Sequence, residues 1–216
     1  PARGIMRISC LHTDPDEIPF YERAAPASVD LAHFVRRDFA YRAHNGPNPA
    51  LLAETQVYLL RIHAGSDAVL LTGSALATAA QAPARSADYM LAEDLCRRMI
   101  EDPAARATVM FSDIASGRTI RDVFATTCDP RRLNFLELPE AQERLAAGDT
   151  GGHDALVRDA IASTDADLIA LVQPPMGGAA PKGDPRFLTP QTSAFARIPV
   201  SRMNMPEGRP KLPIGA

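Results

Sequence analysis

Short apolar runs bounded by polar residues recur along the chain, and one pair of them is a repeat. Residues 67–76 (Asp-Ala-Val-Leu-Leu-Thr-Gly-Ser-Ala-Leu) align with residues 167–176 (Asp-Leu-Ile-Ala-Leu-Val-Gln-Pro-Pro-Met) at an offset of 100 positions. Runs that are apolar at successive positions, yet too short for a helix, predict parallel strands buried on both faces. Residues 6–11 and 29–35 predict two earlier strands, and residues 107–111 and 133–138 their equivalents in the second half. Ahead of each repeated strand the period changes to that of a helix. Leu51, Leu52, Tyr58, Leu59 and Ile62 fall on one face of residues 49–63, with Pro49 suited to the first turn. The counterpart starts at Asp149 or Thr150 as N-cap and carries Leu156, Val157, Ala160 and Ile161. A further helix over residues 86–100 joins the halves.

The order βαβαβ therefore occurs twice, which predicts an α/β protein of two pseudo-symmetric lobes, each with a parallel sheet, facing a cleft. The expected division places residues 1–90 with roughly residues 186–216 in one lobe and residues 91–185 in the other. Residues 197–216 hold Pro199, Pro206, Pro210 and Pro213 and are expected to be extended, as a surface strap or as an arm that pairs two copies.

Composition narrows the function classes. Of 216 residues, 46% are hydrophobic and 23% charged, which is globular, and no apolar run is long enough for a membrane span. The net charge of −3 gives no general attraction to nucleic acid. Cys10, Cys96 and Cys128 are odd in number and dispersed, so neither a disulfide framework nor structural zinc is expected, and the cytoplasm is the default location. The five histidines show no metal-ligand spacing, so neither metal nor cofactor is expected.

In parallel sheets ligands collect beyond the carboxyl ends of the strands. Those ends read Leu11-His12-Thr13-Asp14, Thr72-Gly73-Ser74, Ser112-Asp113 and Gln173-Pro174-Pro175. Ser74 begins a helix-like stretch whose free N–H groups suit an anion, and Ser112 and Thr119 add hydroxyls from the other side.

These segments together resemble the aspartate/glutamate/hydantoin racemase superfamily, which also contains arylmalonate decarboxylase. The resemblance rests on Arg7-Ile-Ser-Cys-Leu-His-Thr13, Asp67-Ala-Val-Leu-Leu-Thr-Gly-Ser74, Ala147-Gly-Asp-Thr150, Leu168-Ile-Ala-Leu-Val-Gln173 with Met176, and Phe187-Leu-Thr189 followed by Ser193-Ala194. It implies cofactor-free proton transfer at the carbon beside a carboxylate or carbonyl, performed in the racemases by two opposed cysteines. The positions that the resemblance assigns to those cysteines are Gly73 and Gln173, neither of which titrates, so the two-thiol mechanism is excluded.

Cys10 then reads as a buried structural thiol, Cys96 as helix packing and Cys128 as a loop residue. His12 is the best remaining acid/base at a cleft edge, with Asp14 and Asp113 as further candidates, although a capping or ligand-bonding role for His12 leads over a catalytic one and Asp14 and Asp113 need no function beyond a turn or cap. His153 is expected to face solvent, Gly177-Gly178 to form a flexible loop or lid, and Arg36-Arg37 a solvated charged face. The leading expectation is a protein that binds a small carboxylate or a cyclic imide through Thr13, Thr72, Gly73, Ser74, Ser112, Thr119, Gln173 and Pro174, with isomerisation or decarboxylation by a one-base, non-cysteine route. Two other readings stay open: a retired binding or regulatory protein with the same cleft, favoured by the donor-poor Pro174-Pro175, and a homo-oligomer paired through the tail.

Overall fold

A computed structural model describes residues 5–43, 46 and 48–203. Strands β1 (Met6–His12), β2 (Val29–Val35), β3 (Ala68–Leu71) and β4 (Ala84–Ser86) form one sheet in the order β2-β1-β3-β4. Strands β5 (Ala107–Phe111), β6 (Leu133–Glu137), β7 (Leu168–Leu171) and β8 (Phe187–Leu188) form a second in the order β6-β5-β7-β8. Every pairing is parallel. The predicted strands are present; β4 and β8, of three and two residues, are too short to leave a hydrophobic pattern of their own.

The helices are α1 (Ile18–Ala24), α2 (Arg37–Ala43), α3 (Pro49–His63), α4 (Ala87–Glu101), α5 (Gly117–Thr127), α6 (Pro139–Ala146), α7 (Thr150–Ala162) and α8 (Pro190–Met203). Their starts are fixed by side chains that satisfy free N–H groups. Asn48 accepts from Leu51 N at 2.9 Å, Ser86 from Asp88 N at 3.2 Å and Asp149 from Gly152 N at 2.8 Å. The repeat extends to single bonds: Asp67 accepts from the Arg7 amide at 3.0 Å and Asp167 from the Arg106 amide at 2.8 Å, each just ahead of its strand. No helix among the described residues is long and apolar enough to cross a membrane.

The lobes exchange helices. Leu91, Ala92, Leu95 and Met99 of α4 pack with Val109, Phe111, Phe124 and Ala170 around the second sheet. Ala194, Phe195 and Ile198 of α8 return to the first sheet, against Met6, Ile8, Cys10, Tyr21 and Leu70. The tail expected to be extended from residue 197 is thus helical to Met203, because this apolar face has the first sheet to cover; Pro206, Pro210 and Pro213 lie outside the described residues.

At the carboxyl ends of the strands the lobes meet. The short 3-10 helix Ser74–Ala79 packs against α5 and the 3-10 turn Ile114–Ser116, while α1 touches the 3-10 helix Pro174–Ala179. Phe195, which is 8% exposed, meets Tyr21 edge-on with ring centroids 6.3 Å apart. Phe195→Ala is expected to cost about 3–5 kcal/mol, seen as a lower urea midpoint at unchanged m-value; a loss under about 1 kcal/mol would contradict the role given to α8.

Candidate functional site

Strands β1 and β3 run side by side and end together, so the residues just beyond them are neighbours although about 60 positions apart. Thr72 Oγ1 lies 3.2 Å from the Leu11 carbonyl, 3.0 Å from His12 Nδ1 and 2.9 Å from Glu17 Oε2. His12 Nε2 lies 2.8 Å from His33 Nδ1, and His33 Nε2 lies 2.7 Å from Glu22 Oε1. The first lobe therefore holds a continuous polar chain from Glu22 through His33, His12 and Thr72 to Glu17. His12 is 0% exposed rather than at a cleft edge, because it lies within β1 on the face covered by Tyr21. Burial, helped by the charge of His33 and opposed by Asp14, pushes it down to about 4, so it is neutral near pH 7.

Glu17, bonded to Thr72, lies near Asp14 and, from the second lobe, Asp113. It ends the 3-10 turn Pro15–Glu17, and 18% of its side chain is exposed. Burial pushes its carboxyl up to about 8; the Thr72 hydroxyl opposes this, while Asp14 and, from the second lobe, Asp113 add to it. Asp88 in the first turn of α4 is also raised, to about 7, by burial against a hydrogen bond from Ser74 and with a contribution from Glu17; its Oδ1 is buried without a partner. Among the described residues, none of the groups that shift either carboxyl is a cation.

Asp14 and Asp113 are helix caps: Asp14 accepts from Asp16 N at 2.9 Å, and Asp113 from Ala115 N at 3.0 Å and from the Ser116 hydroxyl. Gly73 has no room for a side chain, since a Cβ there would stand 2.6 Å from both Cγ2 and Oγ1 of Thr13. Gln173 Oε1 accepts from Ser112 N at 2.8 Å and leaves its Nε2 buried without a partner. The Ser112 hydroxyl donates to Gln142 Oε1 at 3.3 Å, Thr119 is buried on α5, and Pro174 opens the Pro174–Ala179 helix. Gly177 and Gly178 belong to that same helix, with Gly177 packed on Thr189 and Gln191, so they form no loose lid.

Several other expectations change. His153 is 0% exposed instead of solvent-facing, with Nδ1 at 2.9 Å from Asp154 and Nε2 unpartnered, since its turn of α7 faces inward. Arg36 is held by Asp38 and Glu54. Cys10 is fully buried and its thiol is pushed up to about 12 by burial and then by Glu22; Cys128 is buried beside Cys96 and pushed up to about 12 by burial, then by Cys96. Neither thiol is a thiolate at neutral pH. A surface depression of about 470 Å³ lies at the opposite end of the second sheet between Arg106, Arg132, Asn134 and Thr164.

One group among the described residues has metal-ligand atoms close together: Cys10, His12 and His33, all within 4.8 Å. The facing nitrogens of the two rings are joined to each other at 2.8 Å and the thiol is held protonated, so these atoms are engaged without an ion. The sequence could have revealed His33, which pairs with Cys10 in register; Glu17 carries no signal beyond an acidic residue after Asp14-Pro15.

No protein-family model and no curated protein matches the sequence. Among solved structures, the aspartate racemase of Picrophilus torridus superposes with a TM-score of 0.63 at 8% identity, covering 86% of this chain and 89% of that one. The allantoin racemase of Pseudomonas fluorescens gives 0.57 at 16% identity over 97% and 100% of the two chains. The glutamate racemase of Thermus thermophilus, in complex with β-chloro-D-alanine, gives 0.58 at 14% identity over 92% and 80%. The two-lobe α/β fold of this chain is the fold of these racemases.

Glu17 holds a proton in the folded chain that the unfolded chain has lost between its ordinary 4.5 and about 8. The stability this gives is full below 4.5, falls as pH rises towards 8 and is absent above it. Glu17→Gln is therefore expected to flatten that slope and to be more stable than the parent at pH 8 by on the order of 1–3 kcal/mol, measured by denaturation at several pH values. A variant less stable than the parent at pH 8 would contradict the buried, protonated carboxyl.

Proposed function

We propose that this chain is a racemase-superfamily protein of the cytoplasm that takes a small cyclic imide, of the hydantoin type, into the cleft between its lobes and transfers a proton at the α-carbon with one acid/base group, Glu17. The observation that carries this reading is the Glu17 carboxyl, raised to about 8 beside the cleft while Gly73 and Gln173 offer nothing that titrates. An acid/base whose pKa lies near the working pH is the form that catalytic proton transfer favours.

The charges select the ligand. Among the groups that shift Glu17 and Asp88 there is no cation, only the carboxyls of this cluster, so a dicarboxylate would find no partner charge there. A neutral imide ring needs none. Its carbonyl oxygens suit the unpartnered Nε2 of Gln173, and its ring N–H groups suit carboxyl oxygens such as Asp88 Oδ1. Ionised Glu17 removes the α-proton, the electron pair passes into the adjacent carbonyl as an enolate, and the protonated Glu17 returns a proton to the same carbon. The reaction needs no cofactor.

A binding protein without chemistry is the second reading. It is supported by Thr13 filling the space that a side chain at position 73 would need, and by the absence of a titratable side chain at Gln173 and Pro174.

A base on one face predicts that the α-proton of a 5-substituted hydantoin exchanges with heavy water at least tenfold faster than the ring inverts. The rate is expected to rise with pH to a plateau above about 8 and to fall at least 100-fold in Glu17→Gln, while cysteine alkylation leaves it unchanged. NMR and polarimetry on the same sample measure both rates. Saturable binding with no exchange above the spontaneous rate would favour the second reading; exchange and inversion at equal rates would contradict a single base.

A further inference from the structure

With a ligand over the cleft, the exposed part of Glu17 would face the ligand, and exchange of its proton with solvent between removal and return would need another route. We propose that Thr72, His12 and His33 form a proton relay that connects Glu17 to Glu22 at the surface, so that Glu17 exchanges its proton with solvent from behind the bound ligand. The proposal rests on the acid/base reading of Glu17.

The links are 2.9 Å (Glu17 Oε2 to Thr72 Oγ1), 3.0 Å (Thr72 Oγ1 to His12 Nδ1), 2.8 Å (His12 Nε2 to His33 Nδ1) and 2.7 Å (His33 Nε2 to Glu22 Oε1). Exposure rises outward from 0% at the His12 side chain through 16% at His33 to 54% at Glu22. The backbone dictates this line. His33 lies beside Cys10 in the β1–β2 register, two positions from His12, so both rings project from one face of the sheet, 5.0 Å apart between centroids.

Donor and acceptor order holds at every link before the shift, and after it at every link as far as His33, the His33 Nε2–Glu22 bond lasting only while Glu22 holds the delivered proton. With Glu17 protonated, its O–H donates to Thr72, Thr72 to His12 Nδ1, His12 Nε2–H to His33 Nδ1, and His33 Nε2–H to the Glu22 carboxylate. Moving one proton along every link leaves Glu17 ionised, turns both rings to the Nδ1–H tautomer and delivers one proton to Glu22, which loses it to water. Nothing is oxidised, and no imidazolium forms. Other groups around the line do not interrupt it: Asp14, Asp88 and Asp113 act on Glu17 or its neighbours as charges, Tyr21 meets the His12 ring edge-on at 5.6 Å, and the Cys10 thiol stays protonated. The Leu11 carbonyl, at 3.2 Å, is the longer-range competitor for the Thr72 proton.

The second lobe is an internal control. Leu11 and Met110 both stand beside the last residue of the neighbouring strand, Leu71 and Leu171, so His12 corresponds to Phe111 and Thr72 to Val172. By the same registers His33 corresponds to Phe135, and on the following helix Glu22 corresponds to Arg121. There Arg121 stacks over Phe111 at 5.4 Å and over Phe135 at 4.9 Å. The same backbone positions are thus filled in the second lobe by two aromatic rings and a guanidinium, so the shared backbone plan does not by itself call for the polar line of the first lobe.

The test is the tautomeric state of the full chain, labelled with ¹⁵N-histidine and followed by long-range ¹H–¹⁵N correlation from pH 6 to 10. Expected is a joint change of His12 and His33 from Nε2–H to Nδ1–H with one midpoint, at the pH where Glu17 ionises, and a single fixed tautomer pair in Glu17→Gln. His33→Phe is expected to slow α-proton washout at saturating ligand at least tenfold, with partial recovery on adding imidazole. Rings that keep one tautomer across the range overturn the relay, as does a change that occurs only when zinc is added, which would make Cys10, His12 and His33 a metal site. The two readings fail separately: fixed tautomers beside Glu17-dependent exchange remove the relay alone, whereas joint tautomer change without any ligand exchange removes the chemistry and leaves the relay.

Discussion

The hydroxyl of Thr72 joins the end of β3 to the end of β1, meeting the Leu11 carbonyl, the His12 ring and the Glu17 carboxyl with one oxygen. That junction sets the character of the whole cleft. It fixes the His12 ring, whose other nitrogen then fixes His33, and it supplies a hydrogen bond to Glu17 in a place where burial outweighs hydration. An oxygen with one proton and two acceptor sites can serve all these neighbours only if some of them are protonated, so a raised Glu17 and a neutral His12 are a single self-consistent arrangement.

The two lobes share a backbone plan and differ in how the plan is filled. Asp67 and Asp167 perform one task, as do Asp14 and Asp113, because these residues terminate or cap elements and the repeat of elements repeats the need. Around the carboxyl ends of the strands the other side chains do not match: a hydroxyl, two imidazoles and two carboxyls in one lobe stand where the other has valine, phenylalanine, arginine and serine. A symmetric fold with an asymmetric filling suits chemistry from one face, and separates this cleft from one that works with matched groups on both sides.

Much of the fold was legible because parallel strands buried on both faces leave continuous apolar runs, and the 100-residue offset exposed the duplication. β4 and β8 were not, being shorter than any periodicity. The helical course of residues 197–203 was hidden by Pro199, since proline composition suggests an extended tail while the need to cover Met6, Ile8 and Leu70 decides otherwise. At the site, strand ends could be read from sequence, and so the polar residues there could be named. Their roles could not: His12 as a buried link between Thr72 and His33, Asp14 and Asp113 as caps, and Glu17 as a group with a raised pKa all depend on side-chain directions and burial that only the packed lobes determine.

The account turns on whether one carboxyl at the cleft keeps its proton near neutral pH. The most direct measurement is a ¹³C titration of the side-chain carboxyls of the labelled chain from pH 3 to 10, with the Glu17→Gln spectrum identifying the resonance. The account predicts a midpoint of about 8 for Glu17. A midpoint near the ordinary glutamate value of 4.5 would mean that Glu17 is hydrated and ionised, and would contradict the acid/base role on which the proposed function stands.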